Sequence, residues 1–145
     1  MEPTEQFQIA REIIRHEDGL VNNRVTWLLV LHGFLFTAFV SGIGLYEKFP
    51  GRPAAIACIT MGLVLIAAVG IASCLTAYNV IQIAVHHVER TKEWWTATGN
   101  AANWPQVAGE LRKGSYYWLF STGRMPCLLA AVWSVLILLL LIGIL

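Results

Sequence analysis

The sequence predicts an all-α fold: an integral membrane helical bundle with three transmembrane helices, the first two extended into the cytoplasm. Three observations predict it. Residues 26–46, 54–78 and 125–145 are apolar stretches without Asp, Glu, Lys or Arg, and a helix of about 20 mostly apolar residues spans hydrocarbon. The chain is 57% apolar and only 13% charged, against about 25% charged in an ordinary soluble domain. Between the apolar stretches, apolar residues recur at helical spacing.

The first element is an amphipathic cytoplasmic helix over residues 1–25. Phe7, Ala10, Ile14, Val21 and Val25 mark its apolar stripe. Glu2, Glu5, Glu12, Glu17 and Asp18 leave no room for the apolar core of a signal peptide. The N-terminus is therefore expected to be retained. Asp18-Gly19 is a common turn pair, so the helix either breaks there or runs on into the first span. Continuity is favoured, because a lone Gly costs a helix only about 1 kcal/mol.

The first and second spans are joined by Lys48-Phe49-Pro50-Gly51-Arg52-Pro53, a Pro-Gly turn with a second Pro at a helix start. They must form a tight antiparallel hairpin. The second span has no stop after Tyr78, and its helix is predicted to continue to about residue 98, where Gly99 ends it. Small residues, among them Ala67, Gly70, Ser73 and Ala77, let a neighbouring helix approach closely.

Residues 99–124 read as a cytoplasmic or interfacial segment. Asn103 can cap a short helix ending near Gly114. Tyr116, Tyr117, Trp118 and Phe120 suit the inner membrane surface. Pro126 fits the first turn of the third span, and Arg124 can snorkel to headgroups. No internal repeat is visible.

Orientation follows from the basic residues. Arg11, Arg15, Arg24, Arg90, Lys92, Arg112, Lys113 and Arg124 lie on one side; Lys48 and Arg52 lie on the other. The positive-inside rule places the N-terminus in the cytoplasm and the C-terminus outside. The expected location is the inner (plasma) membrane, multi-pass. At 145 residues the chain is one domain. A net charge of +1 with no basic run excludes nucleic acid as a partner.

His32 is the ionisable residue inside a span. Such a group is by default a functional-site hypothesis: it lines a pore or senses protons. The alternative is a neutral imidazole bonded to a neighbouring helix. His86, Glu89 and Glu93 share a helical face on the extension of span two, and Glu12, His16 and Glu17 sit at a comparable height on helix one. These can bind a divalent metal, as carboxylate–His pairs do in bundles, or form salt bridges with Arg11, Arg15 and Arg90. Arg15 and Arg24 are expected near Glu89. Asn79 and Gln82 mark the inner end of span two as helix-pairing or pore-mouth groups. Cys58, Cys74 and Cys127 fit neither a zinc site nor a disulfide framework and read as small packing residues. No nucleophile–base pair, phosphate loop or HExxH motif is present, so neither an enzyme nor a cofactor is expected.

The run Glu12-Ile-Ile-Arg15-His16-Glu17-Asp18-Gly19-Leu20-Val21-Asn22-Asn23-Arg24-Val25-Thr26-Trp27 resembles the approach to span one in a group of small, largely uncharacterised bacterial multi-span inner-membrane proteins. The resemblance covers about the first quarter of the chain. It implies a bacterial inner-membrane setting and carries no activity. Asn22, Asn23 and Arg24 form a polar collar where the helix leaves lipid.

The leading functional expectation is a homo-oligomeric channel or pore-forming protein, since one protomer has too few helices to enclose a pore. Span one, with His32, Thr37 and Ser41, would border the axis, and the Leu-rich third span would face lipid. The alternatives are a non-conducting adaptor docking a cytoplasmic or membrane partner through the hairpin, or a small metal-handling transport protein.

Overall fold

The computed structural model describes residues 2–99, 107 and 123–143. Among them the protein is all-helical, with no strand. Helix α1 spans Pro3–Ile43, α2 spans Pro53–Ala97 and α3 spans Met125–Leu141. At 1.5 Å per residue these run about 61, 67 and 25 Å. Helices α1 and α2 are long and apolar enough to cross a membrane; α3, at 17 residues, is a shorter apolar helix.

Helix α1 is unbroken through Asp18-Gly19, so the favoured continuity holds. Its helical part ends at Ile43, three residues before the expected Tyr46, and a 3-10 turn over Tyr46–Lys48 follows. Phe49-Pro50-Gly51-Arg52 then reverses the chain. The Arg52 N–H donates to the Phe49 carbonyl at 3.3 Å, and Gly51 has φ +73°. Pro followed by a left-handed Gly is the type II pattern. Pro53 opens α2, and Gly99 (φ +74°) closes it just past the Thr98 cap. Pro126 sits in the first turn of α3 as expected, but the helix stops at Leu141, ahead of a left-handed Gly143. The predicted helix near Asn103 and the aromatic run Tyr116–Phe120 lie outside the described residues.

The inward positions of α2 explain the packing. Leu63, Ala67, Gly70, Cys74, Ile81, Ala84 and Trp95 are buried, and Ala77, Val88 and Thr91 are half-buried. Together these positions alternate spacings of four and three residues. This is a heptad seam, the pattern that keeps one face in contact with a gently left-handed partner. Most of its residues are small, so backbones approach closely.

Contacts along the seam fix an antiparallel register for α1 and α2. Glu17 meets His87, Arg24 meets Val80, His32 meets Cys74, and Tyr46 meets Thr60. Helix α3 returns antiparallel to α2, with Gly123 beside Ile81 and Trp133 on Gly70. Its buried positions are Pro126, Trp133 and Leu140, also seven apart.

Two cores result. The apolar one joins all three helices through Phe39, Leu63, Ala67, Trp133 and Leu140. The second sits at the far end of the α1–α2 hairpin and joins Ala10, Ile14, Trp95 and Val107.

Trp133 locks the first core. Its indole stacks on Phe36 at 4.5 Å and 7°, and meets Phe39 edge-on at 5.6 Å. Aromatic pairs of this kind contribute about 0.5–1.5 kcal/mol each beyond area burial. A Cβ at Gly70 would fall on the indole ring, whereas a Cβ at Gly62 would meet nothing within 4 Å. Gly70→Ala should therefore lower stability by about 1–3 kcal/mol, the range for an overpacked core. Gly62→Ala should be neutral or mildly stabilising through helix propensity. Thermal melts of the detergent-solubilised variants test this; equal melting of the two would remove the indole contact as the cause.

Candidate functional site

The chemistry of the apolar core converges on His32. Its α1 position puts it on the seam between Leu28 and Phe39, and it is 1% exposed. The Nδ1 atom lies 2.8 Å from the Leu28 carbonyl oxygen, which can only accept, so Nδ1 carries the hydrogen. The Nε2 atom lies 3.2 Å from Cys74 Sγ. A neutral imidazole accepts there, and the Cys74 thiol donates. His32 thus bridges its own helix backbone to α2. The ring is flanked by Phe36 at 6.2 Å and Trp133 at 6.1 Å.

His32 is expected to border an axis shared between copies; within this protomer it is instead enclosed. The imidazole faces inward, sealed by rings of two helices. It matches the alternative of an imidazole bonded to a neighbouring helix. Cys74 is more than a packing residue, since it supplies the second half of that bond. Cys58 and Cys127 are exposed on the outer faces.

One polar atom in this core lacks a partner among the described residues. Trp133 Nε1 is buried with no acceptor. Leaving such a donor unsatisfied costs roughly 1–3 kcal/mol. Four polar side chains of the apolar stretches turn back on their own helices. Thr37 donates to Gly33, Ser73 to Gly70, Thr76 to Ala72 and Ser134 to Ala130, all at 2.8–3.0 Å.

The polar end of the hairpin is looser than expected. Among the described residues the contact there is His87 Nδ1 with Glu17 Oε1 at 3.4 Å, the His87 side chain being 55% exposed. His86, Glu89 and Glu93 are exposed and point away from the seam, as are Glu12 and His16. Among the described residues no three His, Cys, Asp or Glu side chains come together to hold a metal. The expected pairing of Arg15 and Arg24 with Glu89 is corrected likewise. Arg15 is exposed, and Arg24 reaches the Val80 carbonyl oxygen at 3.5 Å instead. The reason for Arg15 is rotation about the helix axis: the register sets Arg15 level with Glu89, but both side chains are exposed on faces turned away from the seam, and Arg24 lies more than two turns from Glu89 along the hairpin.

In the collar, Asn22 and Asn23 are exposed and Arg24 is half-buried. Asn79 and Gln82 are exposed too, and Gln82 lies beside the start of α3 near Gly123. None of the four amides pairs two helices among the described residues.

Trp133 escaped the reading of the sequence. It stands in a run that is apolar apart from Ser134, and its inward face is marked only by the seven-residue repeat of Pro126, Trp133 and Leu140. Compared with known proteins, the chain matches no protein-family model, no curated protein and no solved structure.

Two measurements check this geometry. A lipid-permeant maleimide should modify Cys58 and Cys127 in the folded protein and Cys74 only after denaturation, read by mass spectrometry. A double-mutant cycle on Arg15→Ala and Glu89→Ala should show no coupling, whereas one on Glu17→Ala and His87→Ala should show at most about 0.5 kcal/mol, as for an exposed pair. Coupling at Arg15–Glu89 would refute the outward orientation of these two side chains.

Proposed function

We propose that this chain is a multi-span inner-membrane protein, N-terminus inside, that acts as a non-conducting adaptor through its cytoplasmic hairpin. The membrane part rests on α1 and α2. In the most apolar window of each, only 17% of the residues are buried within the chain. Trp27, Phe34, Val40, Met61 and Leu65 point outward. Surface of this kind needs lipid or protein around it. The core helix of a soluble domain would be mostly buried.

The observation that carries the adaptor reading is the length of the paired helices beyond the apolar stretches. Residues 3–24 of α1 stay packed against residues 80–97 of α2 and close on a core of their own. An anchor alone needs no such extension, which stands about 30 Å tall. Its flank carries a shallow groove of about 280 Å³ lined by Ile9, Ile13, Arg90, Thr91 and Trp94. This groove suits an amphipathic helix that brings apolar residues to the isoleucines and an acidic group to Arg90.

A photo-crosslinker at Ile13 or Trp94 in living cells should capture one defined partner. Arg90→Glu should abolish that crosslink, and a crosslinker at Lys48 should not give it. Identical products at all positions would remove the docking reading. Reporters inserted after Gly51 and after Gly99 should be active outside and inside respectively, and the reverse pattern would overturn the orientation.

A second reading is the homo-oligomeric channel. Thr37 and Ser41 favour it, because both are exposed on α1 one turn apart. Such a pore would be lined by that face rather than by His32, and it would be narrow and largely hydrophobic, able to gate by dewetting. Ion flux into liposomes that is lost in Thr37→Leu would select the channel. Absence of flux from an oligomeric particle would select the adaptor.

A further inference from the structure

We propose that His32 and Cys74 form a two-coordinate site for a soft monovalent cation of the Cu(I) or Ag(I) class, enclosed in the three-helix core. The inference is independent of the docking reading, since it concerns the middle of the hairpin, about five turns of α1 from the groove at Ile13. Its basis is the pair itself: an imidazole nitrogen and a sulfur from different helices, 3.2 Å apart, in residues each 1% exposed.

The histidine is oriented as metal-binding histidines are. Such ligands donate the far ring N–H to a carbonyl or carboxylate, which fixes the tautomer and aims the other nitrogen at the ion. Here the Leu28 carbonyl takes Nδ1–H at 2.8 Å and leaves Nε2 facing the sulfur. Thiolate and imidazole are the ligands that select soft ions. Hard divalent cations would find no carboxylate in this core among the described residues.

Charge decides between ion classes. On binding, the Cys74 S–H bond breaks and its proton leaves to solvent. Sulfur–metal and nitrogen–metal bonds form, and no electron moves. A thiolate with a monovalent ion is neutral overall, so the apolar surroundings are not asked to hold a net charge. A divalent ion on the same pair would leave one uncompensated positive charge. Trp133 and Phe36 flank the imidazole at 6.1 and 6.2 Å between centroids and, stacked on each other, close that side of the site to solvent. Trp133 Nε1, buried without an acceptor, lies over Gly70, one turn from Cys74. A thiolate is a stronger acceptor on that side of α2 than a thiol.

The geometry sets the adjustment required. Metal–sulfur and metal–nitrogen bonds of about 2.3 and 2.0 Å, taken from zinc, sum to about 4.3 Å in a linear arrangement. The two atoms must therefore separate by roughly 1 Å, less if the site is bent. Rotation of the Cys74 side chain within a small-residue seam can supply this.

The test uses the full-length chain in detergent, carrying Cys58→Ser and Cys127→Ser so that Cys74 is the remaining thiol. Anaerobic titration with Ag(I) should bind one equivalent, with a thiolate-to-metal absorption band in the ultraviolet. Further substitution Cys74→Ser should abolish that band. His32→Gln keeps a hydrogen-bonding amide beside the thiol but removes the soft nitrogen, and should weaken binding at least tenfold. Equal affinity in His32→Gln would overturn the site and leave a simple thiol trap, and no uptake by the parent would overturn it outright. Should His32→Gln fail to fold, X-ray absorption on the Cu(I)-loaded parent decides: one sulfur and one nitrogen neighbour support the site, and a sulfur-only shell overturns it.

Discussion

Trp133 lies against bare backbone at Gly70, and the third helix can reach the hairpin only because nothing stands between them. That single contact places the indole between α1 and α2. It then stacks on Phe36, meets Phe39 edge-on and closes over His32. Each of these depends on the absence of one Cβ. The same logic extends along α2, where Ala67, Cys74 and Ala84 keep the seam shallow and the helices close. In lipid this matters more than in water, because tails are as apolar as leucine and association depends on packing rather than on escape from solvent.

The polar groups obey the same constraint. A buried hydroxyl or imidazole in hydrocarbon must find a partner within the protein. Thr37, Thr76 and Ser134 find theirs on their own helix backbone and so impose nothing on the fold. His32 and Cys74 cannot both do this. Their bond links two helices and pins register in the middle of a seam whose small residues alone would tolerate sliding. At the outer end, the Tyr46 hydroxyl and Thr60 make a second such link at 2.7 Å. The α1–α2 alignment is therefore held by two specific bonds within the apolar region and by weaker polar contacts outside it.

Much of this was legible in the sequence and some was not. The helices among the described residues, the Pro50-Gly51 turn and the stop at Gly99 follow from local chemistry. A left-handed Gly or a fixed proline φ acts on its own residue and needs no tertiary knowledge. The continuity of α1 past Gly19 could be weighed from propensity. What failed was the assignment of partners. His86, Glu89 and Glu93 share a face by spacing, yet that face is the outer one. Spacing states which residues are together, not which way the group points. The seam could have been found from the four–three alternation of small residues between Leu63 and Trp95, which would have turned His86 outward and His87 toward Glu17. Trp133 offered no comparable local signal, because its helix is apolar on every face apart from Ser134.

The two cores rest on different forces, and this divides the molecule more sharply than any loop does. The cluster of Ala10, Ile14, Trp95 and Val107 belongs to the polar end of the hairpin, where water surrounds it in the proposed orientation. There, burial of apolar area contributes about 25 cal/mol per Å², and the helices separate when that term weakens. The cluster around Trp133 gains little from exclusion of water if lipid surrounds it, and depends on close fit and on the His32–Cys74 bond. Denaturants that act on hydration should loosen the first before the second. A hairpin built this way can open or exchange partners at its tip while its base stays registered, which is what a docking element standing on a membrane anchor requires.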